Sequence, residues 1–212
     1  ANATDVLQPK LILLSNSYVF DGRRGNYHET DTVLPSGALG KCKLGAENFV
    51  RGKSLNYVIL RTGPLLGRGT VYRPSWIDRL RVALSRGQSL ELSDHEIQSH
   101  LPVQQLAELV SRTIDSGIKN RAIHLGGATK ISPYRFGIEF ARRFGFNESL
   151  LRVRAPLESS LKKGSRRSHA DEVLDYSLNS SFVLENLKIK PLLLKECLDL
   201  LEKDLVSGSR TV

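Results

Sequence analysis

Two short, nearly continuous apolar segments constrain the fold of this chain more than any other feature. Residues 11–14 read LILL and residues 57–61 read YVILR. Both have the length of a strand. Because neither shows the alternation of apolar and polar residues typical of a strand with one solvent-exposed face, each is predicted to be buried on both faces. Between them, apolar residues 44, 46 and 50 mark an amphipathic helix that ends near Gly52. Strand, helix and strand in this order predict a βαβ unit of a parallel sheet covered by helices.

The rest of the chain continues this alternation of helices and strands. Apolar spacing, with Ser, Pro and Gly at the ends of elements, predicts helices at 75–87, 102–117, 132–145 and 191–205 and strands at 89–92 and 121–125, the latter alternating. The predicted inward-facing residues of the helices recur mainly every three or four positions: Ile77, Leu80 and Leu84; Leu106, Val110 and Ile114; Phe136, Phe140 and Phe144; and Leu194, Leu198, Leu201 and Leu205.

The charge of the chain favours anionic partners. Its 31 Lys and Arg residues against 22 Asp and Glu give a formal net charge of +9, which attracts phosphates, nucleic acid or acidic protein faces. The basic residues are scattered, and the densest run, residues 162–167, has no interleaved aromatic side chains that could stack on bases. A nucleic-acid-binding module is therefore the least favoured of the functions considered.

Several other classes of protein are disfavoured. No apolar run approaches the roughly 20 residues that cross a bilayer, and the first residues lack the regions of a signal peptide, so we expect a cytoplasmic protein without membrane contact. Cys42 and Cys197 lie far apart, and the five histidines are not grouped with acidic residues, so no metal site is predicted. The sequence has no P-loop, no G-x-S-x-G and no G-x-G-x-x-G after a strand. It also lacks methionine, which indicates a processed product or a piece of a longer chain.

The segment from residue 11 to residue 63 carries a run of specific motifs. It contains LILLSNSYVFDG at 11–22, YHETD at 27–31, PSGALGKCKLGAE at 35–47 and LRTG at 60–63. This run resembles the extended short-chain dehydrogenase/reductases, in particular the dTDP-4-dehydrorhamnose reductase branch, which also includes the beta regulatory subunit of methionine adenosyltransferase. Farther along the chain, HLPV at 100–103, IHLGG at 123–127 and an arginine pair before residues 174–181 are similar to later parts of that family.

The resemblance implies an α/β fold. It would be the C-terminal part of a Rossmann-type doubly wound parallel sheet with a small α/β substrate-type lobe, and the family's N-terminal third, with its Gly-rich turn, would lie before residue 1. NADP or NAD is then expected only if that part is present. The implied units are a partial Rossmann-type domain at 1–70 and 102–125, a lobe at 71–101 and 126–190, a C-terminal helix at 191–205 and a frayed tail at 206–212.

The family's catalytic groups are largely replaced in this sequence. Its chemistry uses a Tyr as general acid, a Lys four residues later and a Ser or Thr that orients the carbonyl. Here Leu39 occupies the Tyr position and Asn16 the Ser/Thr position, and only Lys43 is retained, with Ser15 and Ser17 as stand-in hydroxyls. The resemblance further implies cofactor contacts at Lys43, Ser15, Gly63, Pro64 and Leu65, and substrate contacts at Tyr18, Phe20, Arg166 and Arg167.

Each of these residues also has a structural interpretation. Lys43 without its Tyr can be an ordinary lysine on the helix surface, and aromatics that follow a buried strand, such as Tyr18 and Phe20, are more often core residues. Cys42 is predicted to be a small buried apolar residue rather than a reactive thiol. His124, in a predicted strand, is expected to be a satisfied interior residue.

The sequence therefore favours a divergent NAD(P)-dependent reductase-like protein, catalytically weak or inactive, that acts as a binding or regulatory subunit. The alternative is an active NAD(P)H-dependent reductase of a 4-keto nucleotide sugar. In both cases a nucleotide sugar is the expected ligand. A sheet without its first strands leaves an unpaired edge and apolar faces, so we also expect a protein partner or the missing N-terminal segment to cover that surface.

Overall fold

The computed structural model describes residues 9–54, 56–155 and 173–207. The helices are α1 (Ala38–Lys53), α2 (Trp76–Ser85), α3 (Val103–Asp115), α4 (Pro133–Arg143), α5 (Ser181–Leu187) and α6 (Leu194–Ser207). The strands are β1 (Leu11–Asn16), β2 (Tyr57–Thr62), β3 (Leu65–Leu66), β4 (Leu90–Leu92), β5 (Glu96–Ser99), β6 (Leu101–Pro102), β7 (Arg121–Leu125), β8 (Lys130–Ile131), β9 (Leu151–Val153) and β10 (Leu174–Asp175).

A parallel three-stranded sheet of order β1-β2-β7 forms the centre of one half of the fold. Leu11 pairs with Tyr57, and the register continues to the pairing of Asn16 with Thr62. Helix α1 connects the two strands, so the predicted βαβ unit is confirmed. The mixed α/β class with a parallel sheet is confirmed as well.

The two strands of the βαβ unit differ in burial. All six residues of β2 are buried, as predicted. The prediction for β1 was wrong, because Leu11 and Leu14 are 45% and 46% exposed. Strand β1 lies at the edge of the described sheet. Its apolar residues at this edge are therefore only partly covered by the described residues.

Strand β7 is buried more completely than its predicted alternation implies. Residues 122–125 are all buried because both faces of the strand are covered. Ala122 packs in a cluster with Val50 of α1, while Ile123 packs in a cluster with Val183 of α5. Helix α5 thus belongs with the sheet in space, although its sequence falls within the range predicted for the lobe.

A second apolar cluster surrounds α4. Phe136 and Phe140 of α4 pack with Ile77 of α2 and with Leu198 and Leu201 of α6. The short strand pairs β4–β9 and β5–β10 are parallel and β5–β8 is antiparallel. Apart from α6, which lies in the predicted C-terminal helix, these elements come from the two chain segments predicted to form the lobe. The division into domains stays a prediction.

Helices α2 and α3 show that capping residues predict where a helix begins better than apolar spacing predicts which face is buried. Ser75 and Asp78 form the capping box of α2. Pro102, in contrast, is the N-cap of α3 rather than its first residue. Of the stripe predicted for that helix, Leu106 and Val110 pack against the core, but Ile114 is 58% exposed, so that part of the prediction was wrong. The buried residues of α3 are Gln105, Leu109 and Thr113. Local spacing does not predict this face, because Gln105 Nε2 donates to the carbonyl of the distant Lys190 (2.8 Å).

A buried ion pair connects α1 to the sheet. Arg61 of β2 donates from Nε to Glu47 Oε1 (2.9 Å) and from Nη2 to Glu47 Oε2 (2.7 Å), and both side chains are at most 2% exposed. The Ser15 hydroxyl of β1 donates to Glu47 Oε1 (2.6 Å). Arg61 Nη1 lies 3.4 Å from His124 Nε2 of β7. The network therefore fixes all three strands of the sheet relative to α1.

We predict that Glu47→Gln destabilises the fold by about 3–5 kcal/mol, because it leaves the buried Arg61 guanidinium without its counter-charge. Burial alone would raise the pKa of the Glu47 carboxyl, but hydrogen bonds and charge from Arg61, with a further bond from Ser15, hold that pKa below its usual range. Its contribution to stability is therefore present at neutral pH and lost as pH falls below about 4. Urea unfolding from pH 7 to pH 3 measures both effects.

The matched control is Glu108→Gln in α3. Glu108 forms an exposed pair with Arg112 (2.6 Å), and exposed pairs contribute about 0–1 kcal/mol. Similar losses of stability in the two variants at pH 7 would contradict the role assigned to the buried pair.

Candidate functional site

A cavity of about 350 Å³ opens at the carboxyl ends of β1 and β2, and we call it the β1–β2 cavity. The carboxyl ends of parallel strands are where α/β sheets bind ligands, because the loops that follow the strands diverge there. Seven residues predicted to be functional line it: Ser15, Ser17, Tyr18, Lys43, Gly63, Pro64 and Leu65. The structure thus brings together residues that are separated by up to 50 positions in the sequence.

The hydroxyls predicted to replace the family's Ser or Thr are held by the fold. Ser15 is 4% exposed and its hydroxyl donates to Glu47, so that proton is already used. Ser17 is 1% exposed and begins a short 3-10 helix, Ser17–Val19. Asn16 caps this helix, with Oδ1 accepting from the Tyr18 N–H (3.1 Å). All three residues line the cavity, and hydrogen bonds hold the side chains of Ser15 and Asn16 in place.

Lys43 lies at the mouth of the β1–β2 cavity. Its Nζ donates to the Leu14 carbonyl of β1 (3.2 Å), so it is tied to the strand and is not a freely solvated lysine of the helix surface. An ammonium group has three donors, and one such bond leaves others for a ligand. Leu39 lies one helical turn before Lys43 and is 54% exposed. A cofactor contact of Lys43 stays a prediction.

Tyr18 contributes a polar group to the cavity. Its hydroxyl donates to Glu96 Oε2 (3.2 Å) and accepts from Gln98 Nε2 (2.7 Å). Burial, and then the charge of Glu96, raises the pKa of Tyr18 well above its usual value. The phenol therefore stays protonated at neutral pH.

Phe20 lies in the core and not in the cavity wall, which corrects the predicted substrate contact. It is fully buried and stacks on Tyr27 with ring centroids 4.2 Å apart. His124 contacts it edge-on at 5.6 Å, and the Arg61 guanidinium lies 5.3 Å from its ring centre. The structural interpretation of this aromatic is therefore the correct one.

Other expectations have mixed outcomes. His124 is a satisfied interior residue, as predicted, with Nδ1 3.0 Å from the Tyr27 carbonyl. Burial, followed by the charge of Arg61, lowers its pKa to about 3, so it is neutral at pH 7.

Cys42 is exposed, and the prediction of burial was wrong because the inner face of α1 is formed by Gly40, Glu47 and Val50. Arg166 and Arg167 lie outside the described residues.

Besides Asn16, four residues that line the cavity were not predicted to be functional: Leu14, Thr62, Gln98 and Leu106. Leu14 and Thr62 lie in the motifs quoted for the family resemblance, whereas Gln98 lies in none. Gln98 lies more than 30 positions from the other polar lining residues and is 2% exposed. Only the packing of β5 against the loop after β1 brings it to Tyr18.

A larger groove of about 610 Å³ runs along α4, but it has fewer features of a binding site. It is lined by Ile131, Tyr134 and Ile138, among others. Its charged residues are already paired, Arg142 with Glu139 and Glu148, which also line the groove, and Arg135 with Asp94, which does not. None of the residues predicted to be functional lines it. We therefore assign the candidate site to the β1–β2 cavity.

Within residues 9–54, 56–155 and 173–207, no group of three or more His, Cys, Asp or Glu side chains is arranged to hold a metal ion. Nor does any helix in this part of the chain combine the length and apolar character of a membrane span.

Comparison with known families identifies the fold. Residues 1–199 match the model of the RmlD substrate binding domain. The chain belongs to this family. The resemblance inferred from residues 11–63 is thereby confirmed, and so is the Rossmann-type α/β fold that it implied.

Individual relatives agree with this assignment. The chain is 28% identical over 166 residues to methionine adenosyltransferase 2 subunit beta of Pongo abelii, covering 74% of this chain and 48% of the relative. It is 30% identical over 133 residues to a dTDP-4-dehydrorhamnose reductase of Mycobacterium tuberculosis (strain CDC 1551 / Oshkosh), covering 60% of this chain and 42% of the relative. The chain thus spans less than half the length of these curated relatives.

A solved structure shows the same fold. The crystal structure of a dTDP-4-dehydrorhamnose reductase from Bacillus anthracis str. Ames in complex with NADP superposes with a TM-score of 0.76 at 18% identity. The match covers 92% of this chain and 65% of that chain. The two chains therefore share a fold, and the Bacillus anthracis protein binds NADP on it.

We predict that Ser15→Ala destabilises the protein by about 1.5–3 kcal/mol, because it removes a hydrogen bond to a buried charged carboxylate. Ser85→Ala is the control, since the Ser85 hydroxyl makes an exposed bond to the Val82 carbonyl and its loss is expected to change stability by less than about 0.5 kcal/mol. Chemical unfolding measures both values. Equal stability of Ser15→Ala and the unsubstituted chain would mean that the Ser15 hydroxyl is free for catalysis.

Proposed function

We propose that this chain binds a nucleotide sugar in the β1–β2 cavity and acts as a binding or regulatory subunit, with weak or no reductase activity of its own. The observation that carries the proposal is the arrangement of α1 at the cavity. Lys43 is kept at the mouth, while Leu39, one turn earlier, offers no proton. The scaffold for binding is retained and the group for chemistry is replaced.

The lack of an available proton donor among Leu39, Ser15 and Tyr18 supports weak catalysis. Reduction of a ketone needs an acid that protonates the developing alkoxide, and such an acid typically contributes a rate factor of about 10²–10⁴. Leu39 cannot donate, and the Ser15 proton is held by Glu47. The Tyr18 proton is directed to Glu96, and a phenolate beside that carboxylate is unfavourable.

The residues of this chain fit one end of a nicotinamide dinucleotide. Lys43 has donors left for ribose hydroxyls, and Gly63, Pro64 and Leu65 form the adjoining wall. The pyrophosphate needs a Gly-rich turn at a helix N-terminus, and the sequence has no such motif after a strand. Binding of NADP or NAD, which supplies hydride when bound, is therefore proposed only where a further segment provides that turn.

A partner-covered surface is part of the same proposal. Leu11 and Leu14 of β1 are about half exposed, and Phe49 on the adjacent α1 is 67% exposed. Exposed apolar side chains beside an unpaired strand edge are typical of a surface that another polypeptide covers. A preceding segment or a partner protein would take this position. One relative carries the name of a beta subunit, in keeping with a partner.

The alternative is an active reductase of a 4-keto nucleotide sugar. It is favoured by the retention of Lys43 at the cavity and by the dTDP-4-dehydrorhamnose reductase among the relatives. In that case a water molecule or another hydroxyl would replace the missing Tyr.

We predict that dTDP-glucose raises the melting temperature of the 212-residue chain, because a ligand at about 100 times its Kd stabilises the folded state by about 2.7 kcal/mol. Lys43→Met is expected to weaken binding at least about fivefold, since it removes a charged donor at the mouth. Lys41→Met, an exposed lysine of the same helix that does not line the cavity, is expected to bind as the parent does. No shift with the parent protein would overturn the proposed ligand.

A second prediction separates the weak catalyst from the active one. In a form of the protein that carries the Gly-rich turn for the pyrophosphate, Leu39→Tyr is expected to raise NADPH-dependent reduction of a dTDP-4-keto sugar at least about tenfold, because it restores the acid one turn before Lys43. Leu39→Phe, which adds the ring without the hydroxyl, is expected to give no gain. Turnover of the unsubstituted chain at an ordinary enzymatic rate of about 1 s⁻¹ or more would favour the alternative.

A further inference from the structure

Gln98 is the least satisfied polar side chain of the β1–β2 cavity. It lies on β5, lines the cavity and is 2% exposed. Its Nε2 donates to the Tyr18 hydroxyl at 2.7 Å. Its Oε1 is buried and has no hydrogen-bond partner within the described parts of the chain. A buried polar atom without a partner is destabilising. His100 Nδ1 and Gln105 Oε1 share this state among the described residues, but of these three residues only Gln98 lines the cavity.

The orientation of the Gln98 amide follows from Tyr18. A phenol has one proton to donate, and the Tyr18 hydroxyl donates it to Glu96 Oε2. The same oxygen must therefore accept from Gln98, which requires the NH₂ group of the amide to face Tyr18. The carbonyl oxygen is consequently the free end, and it needs a donor.

The surroundings of Gln98 select the kind of donor. Leu65 and Leu106 supply apolar wall, so a ligand group that enters there loses water and depends on the few polar atoms present. The Glu96 carboxylate beside Tyr18 opposes an anionic group such as a phosphate. A neutral group with an O–H fits both conditions.

We propose that Gln98 Oε1 accepts a hydrogen bond from one hydroxyl of the sugar, and that the Glu96–Tyr18–Gln98 chain makes Gln98 a specificity-determining residue. This inference rests on the proposed nucleotide-sugar function and names the part of the ligand that this end of the cavity binds. Tyr18 and Glu96 act through Gln98 by holding its amide in one orientation. The sugar moiety then lies towards β5, with the phosphates on the side of Lys43.

The consequence is discrimination against a sugar that lacks one hydroxyl. A cavity that is built to bond an O–H rejects the analogue without it, because its own buried acceptor is left unpaired. A fluorine in place of the hydroxyl keeps the approximate size and removes the donor. One deoxyfluoro analogue of the ligand is therefore expected to bind at least about tenfold more weakly than its parent.

The test uses isothermal titration of the 212-residue chain with dTDP-glucose and its 2-, 3-, 4- and 6-deoxyfluoro analogues. One analogue is expected to lose at least about tenfold in affinity with the unsubstituted chain. In Gln98→Leu, dTDP-glucose itself is expected to weaken by a similar factor, and the difference between it and that analogue is expected to disappear.

A matched control is available in Gln105. It is also a buried glutamine with an unpartnered Oε1 among the described residues, but it does not line the cavity. Gln105→Leu controls for loss of a buried amide and is expected to keep the discrimination. Tyr18→Phe, which frees the Gln98 amide to turn, is expected to reduce the discrimination without abolishing binding of dTDP-glucose.

The outcomes separate the inference from the function on which it rests. If dTDP-glucose binds and all four analogues bind equally, or if discrimination survives in Gln98→Leu, the role of Gln98 is wrong while the proposed function stands. If dTDP-glucose does not bind to the folded, unsubstituted chain at all, the proposed function fails and the role of Gln98 fails with it.

Discussion

The buried pair of Glu47 and Arg61 is the interaction on which the rest of the structure depends. Two charges out of water are tolerated because the guanidinium contacts the carboxylate through two bonds and Ser15 adds a third. The pair joins α1 to β2, and its further contacts reach β1 and β7. Every wall of the β1–β2 cavity that comes from α1, β1 or β2 is therefore positioned by one carboxylate.

Helix α1 carries both Glu47 of the buried ion pair and Lys43 of the β1–β2 cavity. Leu39, Lys43 and Glu47 follow one another at intervals of four residues, which places them along one face of α1. Glu47 fixes the helix, Lys43 meets the cavity, and Leu39 occupies the next turn. A change from Tyr to Leu at the outer turn removes a proton donor without disturbing the buried anchor. Under the proposed function, this arrangement would let a member of the family lose its catalytic Tyr and keep its fold.

The sequence predicted much of the fold, for reasons that are local. The run at 57–61 predicted a buried strand, the Ser75 cap predicted the start of α2, and the motifs at 11–63 predicted the family. The remaining features depend on contacts between distant segments. The exposure of β1 depends on what lies beside it, the inner face of α3 depends on a bond to Lys190, and the place of Gln98 depends on the packing of β5. The predicted substrate role of Phe20 was wrong for the same reason, because its burial results from Tyr27 and His124.

The location of the ligand is the most direct test of this account. A crystal structure of the 212-residue chain with dTDP-glucose is expected to show the nucleotide sugar in the β1–β2 cavity, with its phosphates towards Lys43 and a sugar hydroxyl within hydrogen-bond distance of Gln98 Oε1. A nucleotide sugar bound in the groove along α4, with the β1–β2 cavity filled by water alone, would contradict it.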